Sequence, residues 1–177
     1  YKIIIKIKGV KTMAFYASLC LYESTDILSE EMKKFLKENH LKKPTKVNKE
    51  KAKKFGMLKE NGDPISYHLK KFNNKEYVCF YSDFDGKKYS LIHKWVFDRG
   101  WTWLFDEEEN RRESKDGLFI WYEINIEKAR ENLEKNKEFF LNKEDCDKAE
   151  VEEIYKEIKE WLDQFLTDCY LVMNEPS

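Results

Sequence analysis

Arginine is nearly missing from this chain: four stand against 29 lysines in 177 residues. Arginine is the side chain that reads phosphates and bases through a two-pronged hydrogen bond, so its scarcity removes the usual grip of a nucleic-acid reader. The lysine bias matches the codon drift of an AT-rich genome, which puts lysine on any exposed face. Cysteine is also sparse, with Cys20, Cys79, Cys146 and Cys169 far apart and no C-x-x-C pair. That excludes a disulfide framework and suits free thiols in a reducing compartment. Cys146 stands at a helix start, but Glu144, Asp145 and Asp147 around it oppose a reactive thiolate. No apolar run approaches the roughly 18 to 20 residues that span a bilayer, and the opening KIIIKIK is broken by lysines unlike a signal sequence. The expected location is therefore the cytoplasm. The chain opens on Tyr1 and not on methionine, which leaves a trimmed start and a start read through at Met13 equally open.

Common catalytic motifs are absent as well. There is no glycine-rich phosphate loop, no G-x-S-x-G and no H-E-x-x-H. Asp83, Asp85 and Gly86 imitate the start of a calcium loop, but Lys87 and Lys94 stand where oxygen ligands belong. Asp116, Glu123 and Asn125 have a nuclease-like spacing without its lysine. His40, His68 and His93 are scattered, so neither a metal nor a cofactor is expected.

What is present suffices for one domain, residues 1–177, with 41% apolar and 15% aromatic side chains. Net charge is only −1, yet its distribution is lopsided. Residues 1–75 carry 18 lysines and 8 acids, a balance of +10, and the remainder carries −11. Such asymmetry marks two charged surfaces, or two halves that neutralise each other on folding.

Periodicity supplies the elements. Alternating apolar residues over 2–23, interrupted by Gly9-Val10, predict an N-terminal hairpin. Ser29 or Asp26 caps a helix ending at Asn39, with Leu28, Met32, Phe35 and Leu36 on its buried stripe. Asn48 and Gly56 bracket a short lysine-rich helix with only Ala52 and Phe55 to bury. From Ile65 the period becomes two, and Asn73-Asn74 and Asp85-Gly86 each suit a two-residue turn. These turns set Lys71 opposite Glu76, His68 opposite Cys79 and Asp83 opposite Lys88. Asp98-Arg99-Gly100 leads into a strand over 101–105, and a strand over 118–124 completes a five-strand meander. Asn125 caps a helix with a stripe of Ile126, Ala129, Leu133 and Phe140, and Asp147 with Glu150 opens a last helix to about Met173. The seam Val151, Ile154, Ile158, Trp161 and Phe165 would pack on the sheet or serve a homodimer. The expected fold is α+β, a mostly antiparallel sheet packed with three longer helices and one short lysine-rich helix.

Two surfaces stand out. Trp101, Trp103 and Phe105 beside Asp106, Glu107, Glu108 and Glu109 resemble a protein-binding patch, because rings bury area at little entropy cost and acids steer a basic partner. Alternatively the rings complete the core. Lys42, Lys43, Lys46, Lys49, Lys51, Lys53 and Lys54, joined to a sheet face carrying His68, Lys70, Tyr77, Tyr81 and Lys94, could hold single-stranded nucleic acid by charge and stacking. The first reading is a non-catalytic interaction protein of inhibitor, immunity or regulatory type, from an AT-rich genome or its mobile elements. Nucleic-acid binding comes second, and an enzyme without a readable motif third.

Overall fold

The computed structural model describes residues 17–40, 46–93, 100–166 and 168–174, and the side chains of 46–48 and 92–93 lie outside that description. Seven strands in the described residues form one sheet: β1 (Ala17–Ser24), β2 (Tyr67–Phe72), β3 (Lys75–Phe80), β4 (Ser90–His93), β5 (Arg111–Glu113), β6 (Ile120–Asn125) and β7 (Cys169–Asn174). Their spatial order is β2-β3-β1-β7-β6-β5, with β4 also pairing β1. Helices α1 (Glu30–Asn39), α2 (Lys46–Lys54), α3 (Glu107–Asn110), α4 (Ile126–Leu141) and α5 (Lys148–Leu162) complete the α+β fold.

Local chemistry sets most boundaries where the residues predict them. Ser29, Asn125 and Asp147 each accept a backbone N–H from the first turn of α1, α4 and α5. At the end of α2, Gly56 adopts φ 69°. There Met57 N–H donates to Ala52 O and Gly56 N–H to Lys53 O, a double closure sealed by the buried Met57 against Ala52. Asn48, expected as the cap of this helix, lies inside it. Asn73 and Asn74 hold φ 49° and 63°, the paired positive values of a type I′ turn. The ladder that follows sets Lys71 opposite Glu76 and His68 opposite Cys79, as expected.

The strand order departs from a simple meander. Residues 169–174 form β7, a strand between β1 and β6, and α5 stops at Leu162. The run Cys169-Tyr170-Leu171-Val172-Met173 is apolar without alternation, so its period cannot separate a helix from a strand buried on both faces. β1 and β6 decide the matter by supplying hydrogen-bonding edges on either side. Residues 101–105 are likewise no strand: Trp101–Leu104 is a 3-10 turn opened by Gly100 at φ 77°. The buried pair there is Trp101 and Leu104, three apart, which suits one turn of that helix. The Asp85-Gly86 turn is type I′ and bridges Phe84 to Lys87, but the strands part directly beyond it. Lys87 and Tyr89 turn toward Glu23 of β1, while Lys88 O accepts from Trp161 Nε1. The Gly9-Val10 turn and the first strand of the N-terminal hairpin fall outside the described residues, as do Asp98 and Arg99.

The sheet is strongly curled. Lys70 on β2 reaches Glu123 on β6 at 3.3 Å, although three strands separate them in the order. Its ammonium also lies over the rings of Phe72 and Trp121. Helices α4 and α5 cover the outer face, burying Ile126, Ala129, Leu133, Ile158, Trp161 and Phe165 with Leu19, Leu21 and Leu171 of the central strands. Full burial contributes about 1.5–3 kcal/mol for each large apolar side chain. The inner face folds on itself: Phe72 stacks on Tyr170 at 4.3 Å, and Tyr22 and Tyr77 meet Phe72 edge-on.

Candidate functional site

The two surfaces read from the sequence meet different fates. Trp101 is 2% exposed and packs edge-on to Trp161 beneath α5. Its indole N–H finds no hydrogen-bond partner among the described residues. Trp103 is half-buried, stacked face-on against Phe140 at 4.8 Å, and Phe105 is half-buried against Tyr122. The expected row of three rings on one open side is therefore replaced by one sealed anchor and two partly covered rings. A turn of three residues rotates successive side chains around its axis, which a period of two does not anticipate.

Helix α4 is polar because it holds this segment. Asn132 and Asn136 donate their side-chain amides to the carbonyls of Leu104 and Trp103, and Phe140 one turn on supplies the stacking ring. These three positions, spaced by four, form one stripe of α4 given over to residues 103–104. Just beyond, Asp106 caps α3 by accepting from Glu108 and Glu109 N–H, and its own N–H donates to the buried Asn110. Arg112 then donates to Glu109 O. The consequence is a rigid platform carrying Glu107, Glu108 and Glu109, all exposed, none of them in an ion pair among the described residues. Acids in a first helical turn favour the helix, but a single cap suffices for a four-residue helix. Phe139, 48% exposed, meets Phe140 edge-on and lies under the Lys143 ammonium at 4.3 Å.

The lysine surface divides. Lys49, Lys51 and Lys53 are exposed on α2 without ion pairs among the described residues, whereas Lys54 pairs with Glu31. Lys42, Lys43 and Lys94 lie outside the described residues, and for Lys46 only the backbone is described. The sheet residues expected beside them point into the curl. Tyr77 is 3% exposed and donates its hydroxyl to Asp168 at 2.8 Å. Lys70 is held by Glu123, and His68 Nδ1 lies 3.2 Å from the Tyr22 hydroxyl. Only Tyr81, at 46% exposure, keeps an open ring. A tyrosine-rich face reads as open in sequence because each ring carries a hydroxyl. Curling buries the rings and satisfies the hydroxyls at their rims.

One cluster was not legible as a unit. Within the curl, the Tyr22 hydroxyl lies 3.2 Å from His68 Nδ1, and the His68 ring lies edge-on to His40 at 5.3 Å. Burial pushes the Tyr22 phenol far above its ordinary value. Burial, with help from His40 and Lys70, holds the His68 imidazole below its own. Both shifts favour the uncharged forms of the phenol and the imidazole. Cys79, across from His68, and Cys20 on β1 are both buried. The pairing of His68 with Cys79 signals part of it, but the contribution of β1 depends on strand order, which the sequence does not reveal. No group of His, Cys, Asp and Glu among the described residues is arranged to hold a metal ion. A cleft of about 250 Å³ beside His40 and Lys71 lies at the β2 edge. Asp116 serves a turn with Ser114, apart from Glu123 and its cations.

No family model, no curated protein and no solved structure matches this chain. No helix among the described residues is long and apolar enough to cross a membrane.

Proposed function

We propose that this chain is a protein-interaction domain of the inhibitor or regulatory kind, which presents Glu107, Glu108 and Glu109 to a basic protein surface. The carrying observation is that these carboxylates stand exposed, and unpaired among the described residues, on a segment fixed from beneath by the Asn132 and Asn136 amides and the Trp103–Phe140 stack. Preorganised charge steers encounter without a cost of ordering at contact. Against nucleic acid as the main ligand, the stacking residue Tyr77 is buried and Lys70 is engaged with Glu123. Weighing against a homodimer through α5, Val151, Ile158, Trp161 and Phe165 of its expected seam are buried within one chain, with Ile154 half-buried.

The test is capture from the source lysate with the parent and with a Glu107→Lys, Glu108→Lys, Glu109→Lys variant, each with and without nuclease. A nuclease-resistant complex that associates at least tenfold more slowly with the reversed variant supports the assignment. A complex that survives reversal unchanged, or disappears with nuclease, refutes it.

A further inference from the structure

We propose that His40 is a proton-sensitive clasp, which as a neutral ring fastens the end of α1 to the outer edge of β2 and lets go when it is protonated. The register decides which groups face that edge. The Asn73-Asn74 turn makes Phe72 and Lys75 a hydrogen-bonded pair, so Lys70 and His68, at steps of two, also turn their backbone groups to β3. Leu69 and Lys71 turn theirs outward, and β2 is the last strand on this side of the sheet among the described residues. An open strand edge invites pairing with another chain, but here the Leu69 N–H is taken. It donates to His40 Nε2 at 3.2 Å.

That bond exists in one charge state only. A backbone N–H always donates, so Nε2 must offer its lone pair while Nδ1 carries the proton of the neutral ring. Imidazolium has no acceptor. A second proton would set Nε2–H against the Leu69 N–H and end the contact. The clasp is therefore closed above the range in which imidazole charges, ordinarily about pH 6.5, and opens as pH falls through that range. Its neighbours among the described residues are mostly basic. Facing His40 are Lys37 of α1, Tyr67, His68, Lys70 and Lys71 of β2, and Glu76 of β3. Glu76 is shared with Lys37 at 3.9 Å, and Lys70 is held by Glu123 at 3.3 Å. His40 is half-buried and lines the cleft of about 250 Å³ at the β2 edge, so solvent reaches the ring and it has room to turn out. The Tyr67 hydroxyl donates to Leu36 O at 2.6 Å, a second tie that does not involve the imidazole. Opening thus bares an edge donor of β2 and leaves α1 attached.

The experiment follows the folded, isotope-labelled chain by nuclear magnetic resonance from about pH 8 to about pH 4.5, reading the His40 ring shifts and the exchange of backbone amides relative to unstructured amides at each pH. Protection of the Leu69 amide should fall roughly tenfold or more in step with the His40 titration, while the Lys70 amide, turned to β3, keeps its protection. His40→Gln, which carries no titrating ring, should abolish the pH dependence at Leu69, and His68→Gln should leave it in place. The proposal is overturned by Leu69 protection that stays level while His40 titrates, by a His40 ring still neutral at the acid end, or by a loss that Lys70 shares. A drop that persists in His40→Gln or vanishes in His68→Gln overturns it equally. The parent titration decides the matter even if a variant does not fold.

Discussion

Gly86 and Gly100 hold similar positive φ, 71° and 77°, in different surroundings. A Cβ on Gly86 meets nothing within 4 Å, so Gly86→Val adds only backbone strain and should cost roughly 1 kcal/mol or somewhat more. A Cβ on Gly100 would lie 2.4 Å from Ile154 Cγ2 and 3.3 Å from the Trp103 ring. Gly100→Ala therefore combines strain with overpacking, each roughly 1–3 kcal/mol, and should be the costlier change by urea midpoint despite the smaller residue. Equal midpoints would mean that α5 does not press on this turn. His68 gives a pH signature. Its folded pKa is depressed below the ordinary 6.5, so as pH falls through that value the unfolded chain takes up the proton first. Stability from this residue is complete above about pH 6.5 and is lost as pH falls through the folded value. His68→Gln should lessen the drop in Tm between about pH 7.5 and 5.5, and an undiminished drop would contradict the neutral, Tyr22-bonded imidazole.

Helix α2 and the turn Trp101–Leu104 show what can be read from sequence at the level of elements. For α2, turn chemistry and composition were sufficient: Gly56 closes it, Ala52 attaches it, and its other described lysines face solvent. Replacing Lys49, Lys51, Lys53 and Lys54 by glutamine should shift Tm little, since the Lys54–Glu31 pair is exposed and such pairs contribute about 0–1 kcal/mol. If single-stranded RNA binds the parent, that variant should bind it less tightly and with a flatter salt slope. Trp101, Trp103 and Phe105 misled because alternation describes a strand only when a neighbouring strand receives it; here β6 and α4 receive the segment as a turn. Trp101→Ala should cost roughly 3–5 kcal/mol, as for a sealed core aromatic, and Trp103→Ala distinctly less. The caps at Ser29, Asn125 and Asp147 and the Asn73-Asn74 register were legible because each depends on a few adjacent residues. The place of β7 was not, since it depends on edges more than forty residues away.

For the whole molecule, the curl of the sheet decides which charges are spent and which remain. Lys70, Arg112 and Glu123 neutralise one another across the inner face, and Lys87 settles on the buried Glu23. Among the described residues, Lys37–Glu76, Lys70–Glu123 and Lys75–Asp168 join lysines of the basic half to acids of the acidic half. Glu107, Glu108 and Glu109 on one element and Lys49, Lys51 and Lys53 on another stay unpaired among the described residues. Photo-crosslinking from each element separates the two readings in one experiment, with a reactive side chain placed at position 108 or at position 51 and the source lysate irradiated with and without nuclease. The acidic surface as the docking site requires a discrete protein adduct from position 108 that nuclease leaves intact and moderate salt weakens. Adducts from position 51 alone, abolished by nuclease, would contradict it and make the lysine helix the working surface.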